Sequence, residues 1–581
     1  MSRLHIIRRP TVSAAALEPL PPLWRQLYAS RGITQPGELE RGFAALPPPE
    51  TLPGTEVGAR LLADAVMAGQ RILLVGDFDC DGATSCALGV LALREMGCGW
   101  VDYLVPNRFE YGYGLTPEIV EVARKRRPDL LLTVDNGISS HEGVEAANLY
   151  DLPVIITDHH QPGRELPAAA ALINPRLPGS EGFAGQHLAG VGVLFYLLIA
   201  LRAVLRQRGW FAQRALAPPN LARYLDLVAL GTVADVVPLD QVNRILVHQG
   251  LQRMRSGATR PAIRALFQVA QRDLQRATTS DLGFAVGPRL NAAGRLEDMS
   301  LGIACLLTED PQQAAAGAAQ LDAINRQRRV IEGEMEVQAL AALEGVDDHW
   351  PAQLPFGLSI YRAEWHQGVI GILASRIKER YHRPVIAFAP AGHGTLKGSG
   401  RSVPGVHIRD LLDTIATTHP GMIQRFGGHA MAAGLTLNAD AFEVFSEAFD
   451  REVRRHLSED QLHGVLHSDG ELEAAALNLE LAAALREGGP WGQGFPEPLF
   501  DGVFRVVSCR VVGGRHLKMR LLPLAGSVPL EAIAFRQAEQ WELTPGSSIR
   551  AAYRLDVNEY RQRQSLQLRV ESIALAQDVV T

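Results

Sequence analysis

"RILLVGDFDCDGATS", residues 71–85, sets an apolar run against three acids at alternate positions, Asp77, Asp79 and Asp81. Residues 72–75 are apolar at every position rather than every second one, the pattern of a strand buried on both faces. A small-residue helix, "GATSCALGVLALREMG" (82–97), follows. The unit then recurs along the chain. "VDYLVP" (101–106), "DLLLTV" (129–134) and "PVIIT" (153–157) read as strands. "TPEIVEVARKRRP" (116–128) and "SSHEGVEAANLY" (139–150) read as helices, the first with Thr116 as N-cap and Pro117 at its first position. Apolar strands alternating with helices predict a doubly wound α/β domain, a parallel sheet covered on both faces. The C-terminal ends of its strands share one edge, where ligands bind.

Three of these strands end in the same chemistry. The first delivers Asp77, Asp79 and Asp81, the next Asp135, and the last Asp158, His159 and His160. Carboxylates crowded into one cleft oppose each other's ionisation, and a divalent cation removes the conflict. Oxygen donors with one or two imidazoles suit Mn2+ or Mg2+. Two such ions about 3.5–4 Å apart form the clamp used for in-line phosphoryl displacement. Taken singly, "DFDCDG" is compatible with a solvated acidic turn, and "DHH" with a helix cap. The DxDxDG spacing also opens a calcium loop, but its twelfth position is Leu88 where calcium needs a bidentate glutamate. The specific signal is the set, each member at a strand end. "DLVALGTVADVVPL" (226–239) adds Asp235, on residue pattern alone either a capped or solvent-facing acid or a further ligand.

With 581 residues, the chain is long enough for three or four domains. Its hydrophobic content of 47% supports large cores. Five cysteines without a CxxC pair exclude a disulfide framework and a zinc ribbon, and point to a reducing cytoplasm. The N-terminus shows no secretory signal. The longest apolar run, "LAGVGVLFYLLIAL" (188–201), is short for a membrane span and reads as a core helix. Net charge is −6, but the charge is uneven. Residues 360–430 hold nine Lys/Arg against four Asp/Glu, and residues 503–570 hold eleven against five. Local basic regions of this kind suit nucleic acid. No GxxxxGK[ST] loop is present, so ATP-driven unwinding is not expected.

The rest of the chain is organised around a pattern from Asp310 to Glu344 that has no proline after Pro311 and predicts one long helix. A second α/β region follows, from "FGLSIYR" (356–362) to "GGHAMAAG" (427–434). Beyond the Gly/Pro-rich "GGPWGQGFPEPLF" (488–500), five strand-like segments within about 75 residues suggest a small barrel of the OB type.

"DFDCDG", "VDNG", "TDHH" and "GTVADVVPL" resemble motifs I to IV of the DHH phosphoesterase superfamily. "GPRLNAAGRL" (287–296), "WHQGVIGILASR" (365–376), "GSGRS" (398–402) and "GGHAMAAG" narrow the resemblance to its RecJ family of single-stranded-DNA exonucleases, over about residues 55–575. The resemblance implies an N-terminal arm (1–54), a DHH domain with a helical part (55–308) and a bridging helix (309–345). A DHHA1 domain (346–460), a connecting segment (461–500) and an OB-fold (501–576) follow. It implies hydrolysis of single-stranded DNA from 5′ to 3′ into mononucleotides, with two Mn2+ or Mg2+ ions. By motif match, Asp79, Asp81, Asp135, His159 and Asp235 are metal ligands, and Asp77 and Asp158 ligands or close supporters. Asp81, His160 and His429 are implied at the reaction itself, His160 as a phosphate contact or proton-handling group.

Arg108, Ser399 and Arg401 are candidates for holding the 5′-terminal phosphate, because Arg suits bidentate phosphate contact. A surface ion pair with Glu110 is the other reading of Arg108. His429 and Arg401 are candidates at the scissile phosphate, against a reading of "GGHAMAAG" as a packed turn. Arg289 and Asn291 are candidates further along the strand. Tyr553, Tyr560 or Phe535 of the barrel could stack bases, with barrel core as the alternative. The resemblance implies roles in recombination, repair and mismatch repair, with a RecQ-type helicase and single-stranded-DNA-binding protein as partners. Relatives that cleave short oligonucleotides, cyclic dinucleotides or pyrophosphate share the acids but typically lack the barrel. A DNA-binding scaffold that lost its metals would lack part of the acidic set.

Overall fold

The computed structural model describes residues 5–13, 15–106, 114–344, 354–392, 394–538, 540–560 and 563–575. The chain forms two compact units. The first comprises Pro10–Asn325 with Ala483–Pro498; the second comprises Met1–Arg9, Arg326–Ala482 and Leu499–Thr581. Strand β1 (His5–Arg8) therefore belongs to the second unit although it opens the chain.

In the first unit, helix α1 (Thr55–Met67) leads into β2 (Arg71–Gly76), α2 (Cys80–Glu95) and β3 (Trp100–Leu104). Then come α3 (Pro117–Arg124), β4 (Leu130–Val134), α4 (His141–Asn148), β5 (Val154–Thr157) and β6 (Ala171–Ile173). The five strands are all parallel, in the order β3-β2-β4-β5-β6. Side-chain alternation splits the apolar runs between two cores. Ile72, Leu74, Leu130, Leu132 and Ile155 enter one cluster, while Leu73, Val75, Leu131, Val154 and Ile156 enter another with Ile119, Val120 and Val144 of α3 and α4. Both faces are covered, which is why these strands lack polar alternation.

Three further helices back the first core: α5 (Gly190–Gln207), α6 (Leu225–Ala234) and α7 (Gly287–Leu296). Helix α5 is the one described helix long and apolar enough to cross a membrane, yet Val191, Leu194, Leu197, Leu198, Leu201 and Leu205 lie buried in this core. Helix α8 (Pro311–Glu344) is continuous over 34 residues, as a pattern whose one proline stands at the first helical position predicts.

The second unit holds β7 (Leu358–Tyr361), α9 (Ile370–Tyr381), β8 (Val385–Gly392), β9 (Thr395–Arg401), β10 (Ile423–Gly428) and β11 (Ala432–Asn438). These strands form a mixed sheet in the order β10-β11-β9-β8-β7. The glycines of "GSGRS" are packing positions. A Cβ on Gly398 would lie 2.5 Å from Phe388, and one on Gly400 would lie 2.6 Å from Ile408. Strand β12 (Val465–Ser468) pairs in parallel with β1. Strands β13 (Phe500–Val512), β14 (His516–Pro523), β15 (Leu530–Ala534), β16 (Ser548–Tyr560) and β17 (Arg563–Leu575) close a barrel in the order β13-β14-β15-β17-β16. The expected architecture is present: a parallel-sheet domain, a long helix, a second α/β domain and a five-stranded barrel.

The compact units do not follow the segment boundaries expected from the sequence. The arm 1–54 and the connector 461–500 are each divided between units. Aromatic packing explains the exchange within the first unit. Trp491 stacks on Phe495 at 5.1 Å, both rings neighbour Tyr28, and the Tyr28 hydroxyl donates to the Gly488 carbonyl at 3.0 Å.

Candidate metal centre

The sheet order reverses at β2. The chain passes from β2 to β3 on one side, then to β4 on the other, so the ends of β2 and β4 border a topological switch point. Asp77 follows β2 there, and Asp135 follows β4. Asp135 has a left-handed backbone (φ 62°), which aspartate tolerates better than most residues. Asn136 next to it donates to the carbonyls of Val75 and Val134, both at 2.9 Å, and so ties the two strand ends together.

Three overlapping groups of donors meet at this edge: Asp77, Asp79 and Asp135; Asp81, His159 and Asp235; and Asp135, His159 and His160. Within each, one ligand atom per residue lies within 4.8 Å of the others. His159 Nε2 lies 3.1 Å from Asp135 Oδ1 and 3.4 Å from Asp235 Oδ2. Asp235 follows the last turn of α6, so the helical part contributes a carboxylate to the edge. Asp79 caps α2, with its Oδ1 accepting from the Gly82 N–H at 3.0 Å.

Electrostatics bear out the crowding. Burial, then the neighbouring Asp79, pushes the Asp81 carboxyl up to about 7. Burial, then Asp81 and Asp79, holds Asp135 and Asp235 well above the usual aspartate range. Buried acids with raised affinity for protons, joined by an imidazole, are a donor set that fits small hard divalent ions. Asp235 Oδ2 is buried without a hydrogen bond among the described residues, an orphaned oxygen that a divalent ion would satisfy.

Asp158, expected among the ligands, stands outside all three groups. Its Oδ1 accepts from the N–H groups of His159 (2.7 Å) and His160 (3.0 Å) and contacts His160 Nδ1 at 2.7 Å. Its Oδ2 accepts from the Ile138 N–H at 2.9 Å. Burial opposes its charge, but the His160 bond and the two imidazoles bring it down to about 2. In turn, burial lowers His160 and Asp158 raises it, to a net value of about 9. Asp158 thus fixes the orientation of the His160 ring at the rim of the site.

Two glycines escaped the sequence reading. Asp81 is fully buried and caps α5: its Oδ2 accepts from Gly190 N–H at 2.6 Å and its Oδ1 from Val191 N–H at 3.0 Å. A Cβ on Gly190 would lie 2.6 Å from Asp135 Oδ1, and one on Gly231 would lie 2.7 Å from Asp81 Oδ1. The only sequence signal was small residues inside apolar helices. Gly190→Ala should therefore displace Asp135 and weaken Mn2+ affinity about 10–100-fold, the usual effect of disturbing residues that support ligands. Isothermal titration of the metal-free variant checks this, and an unchanged affinity would show that the contact is not restrictive.

Arg289 and Asn291 were expected to meet substrate; both are committed to the fold. Arg289 is buried, donates to the Ala285 carbonyl at 2.6 Å and pairs with Asp322 of α8 at 2.8 Å. Asn291 Oδ1 accepts from Cys80 N–H at 2.7 Å, fastening α7 to the acidic turn. Tyr553 is buried in the barrel, whereas Phe535 is half exposed on His516. Arg108 and the Tyr560 side chain lie outside the described residues.

Ser399, Arg401 and His429 come together in the second unit. Ala432 pairs with Arg401 across the sheet, and its carbonyl accepts from the His429 N–H at 2.8 Å. Arg401 donates to Ser399 Oγ (3.2 Å) and to the Gly400 carbonyl (2.8 Å). A Cβ on Gly371, in the first turn of α9, would lie 2.9 Å from Ser399 Oγ and 3.0 Å from Arg401. Burial lowers the guanidinium's proton affinity, and no carboxylate pairs with it among the described residues. A cation lacking an acid, beside a helix N-terminus, is suited to an anion.

Comparison with known proteins places each domain in a family. Residues 71–232 match the DHH family N-terminal domain, residues 355–455 the DHHA1 domain, and residues 468–572 the RecJ OB domain. The chain is 54% identical over 570 residues to the single-stranded-DNA-specific exonuclease RecJ of Escherichia coli, covering 98% of each. Two crystal structures of Thermus thermophilus RecJ are similar over nearly the whole of this chain. The Mn2+ complex has a TM-score of 0.78 at 29% identity, covering 98% of this chain and 79% of that one. The Mg2+ complex has a TM-score of 0.73 at 27% identity, covering 98% and 78%.

Proposed function

We infer that this chain, which belongs to the RecJ family of single-stranded-DNA-specific exonucleases, is a hydrolase that cuts single-stranded DNA from its 5′ end into 5′-mononucleotides. The observation that carries the reading is the meeting of Asp77, Asp79, Asp81, Asp135, His159 and Asp235 at one sheet edge. Asp79, Asp81, Asp135, His159 and Asp235 would hold two Mn2+ or Mg2+ ions, with Asp77 supporting them. Such ions would polarise the phosphodiester and lower the pKa of water, so that its deprotonated form is available as the nucleophile at neutral pH.

The chain's own residues orient the substrate. His160, whose Nδ1 is held by Asp158, is placed to offer its other ring nitrogen as a hydrogen-bond donor to a phosphate oxygen. His429 is exposed in the β10–β11 turn and is proposed as a second phosphate contact. Arg401 and Ser399 are proposed to hold the 5′-phosphate, which would set the direction of digestion. Replacing Arg401 by Ala should raise KM for a 5′-phosphorylated strand about tenfold, the worth of one charge-assisted bond. A strand ending in a 5′-hydroxyl should be affected much less. Equal losses on both strands would place Arg401 elsewhere along the DNA.

The basic barrel suits single-strand binding, and duplex ends would need a separate helicase. A RecQ-type helicase, a single-stranded-DNA-binding protein, and cytoplasmic work in recombination, repair and mismatch repair complete the proposal. The test is digestion of a labelled 5′-phosphorylated oligonucleotide in Mn2+, with a duplex, a dinucleotide and Asp81→Ala as controls. Early release of 5′-mononucleotides from the single strand alone, lost in the variant, is expected. Release from the 3′ end, or cleavage of the dinucleotide alone, would overturn the assignment.

A further inference from the structure

We propose that Phe284 is a stacking platform for a nucleobase of the strand at the metal centre, a positioning residue that holds the DNA for cleavage. The proposal rests on the single-strand exonuclease reading above and adds a residue to it.

The segment from Leu282 to Leu296 lines one side of the acidic edge. The Cβ position of Gly283 lies 3.5 Å from Val233, and that of Gly287 lies 3.1 Å from Ala234. Both contacts fall on the last turn of α6, which delivers Asp235. Further along, Asn291 bonds Cys80, and a Cβ on Gly294 would lie 1.8 Å from the Phe78 carbonyl oxygen. Phe284 stands between the two glycines that grip the Asp235 helix end.

Its setting is unusual in three independent ways. Leu282–Val286 is a π-helix, a form that recurs at functional sites because it turns one extra residue outward. Leu282, Ala285 and Val286 are buried, while Phe284 is 80% exposed, the most exposed large hydrophobic side chain among the described residues. Val236, the residue after Asp235, has a φ of 63° and is 62% exposed. A β-branched residue in the left-handed region is strained, and such strain collects where function demands a fixed geometry. Two apolar side chains are therefore presented to solvent at the helix end that delivers Asp235.

The occupant that fits is a nucleobase. Every base has a π-face, so an exposed ring stacks without selecting sequence, as an exonuclease of general single strands needs. Phosphates drawn to the acidic centre by cations leave the attached bases to one side, where an aromatic wall receives them.

The test uses the full chain in Mn2+, with binding read by stopped flow before hydrolysis sets in. Oligonucleotides with a 5′-phosphate and a single 2-aminopurine at the first, second or third position are titrated with protein. Quenching at one of these positions is expected, abolished in Phe284→Ala and kept in Phe284→Trp. In Mn2+, Phe284→Ala should lower kcat/KM on the normal strand about tenfold, the size of one stacking contact. A strand with three abasic residues at its 5′ end should be cut equally slowly by both proteins. No quenching at any position, or an alanine variant equal to the parent on the normal strand, would overturn the proposal. A parent protein that binds DNA with quenching but cuts none in Mn2+ would instead sink the exonuclease reading and leave the platform standing.

Discussion

Asp235→Asn should remove nearly all hydrolysis and yet make the metal-free protein harder to melt. The two effects have one cause. Asp235 is held well above the usual aspartate range by burial first, then by Asp81 and Asp79. The folded state therefore keeps a proton that the unfolded state releases near pH 4. Above that pH the acid counts against folding, and the penalty grows until the folded carboxyl also ionises. The amide keeps the shape and drops the charge, so the variant should gain about 1–2 kcal/mol in EDTA at pH 8, the size of gain found when a functional site is relieved of strain. At pH 4 the two proteins should melt alike. Addition of Mn2+ to the parent at 100 times its Kd should add about 2.7 kcal/mol by linkage, and the variant should lose much of that response. Hydrolysis should fall on the order of 10^3-fold, equivalent to about 4 kcal/mol. Calorimetry with and without Mn2+ reads the stability, and strand digestion reads the activity. A variant that melts lower than the parent in EDTA at pH 8 would show that these acids are not in conflict.

The same conflict explains how much of the site could be read in advance. Acids at the ends of buried strands break a local pattern, so Asp77, Asp79, Asp81, Asp135 and His159 announce themselves. Parallel topology then brings them to one edge. Asp235 was open on pattern because a helix end carries acids for many reasons; it needed the motif. Asp158 was left between ligand and supporter because its neighbours are ligand types, and only the four bonds to its oxygens show that it holds His160. For Arg289, an arginine in a glycine-rich motif, no local pattern could show its partner: Asp322 lies on another helix 33 residues away. Gly190 and Gly231 were silent because the space a glycine leaves is defined by what approaches from elsewhere. The exchange of segments between the units was silent too, since Tyr28 and Trp491 meet only after both have folded.

The largest stability loss is expected far from the metal centre, at Asp501. This carboxylate is fully buried in β13 and joins four strands of the second unit. It accepts from Arg8 of β1 through Nε and Nη2, both at 3.0 Å, and from Ser468 of β12 at 2.5 Å. Arg550 of β16 completes the set with bonds of 3.1 and 2.7 Å. Burial pushes the acid up, but Arg8, Ser468 and Arg550 outweigh it and hold it below the usual range. Asp501→Ala would leave two guanidiniums facing an apolar side chain. Breaking a buried pair from one side costs about 3–5 kcal/mol, and the lower end applies because half of the Arg8 side chain remains in water. The pH dependence has a definite sign. A depressed acid stabilises the fold fully above its unfolded pKa, near 4, and the contribution disappears as pH falls through the lower folded value. The gap between parent and variant should therefore be constant from pH 8 to pH 5 and close below pH 4. Hydrogen exchange at β13 and β16 is the right measurement, because a chain of two units has no single unfolding free energy. Protection there should fall in Asp501→Ala, and in a protein lacking residues 1–9, while β2 and β4 keep theirs. Equal loss in all four strands would mean that the two units unfold as one, and that the N-terminal strand fastens more than the barrel it touches.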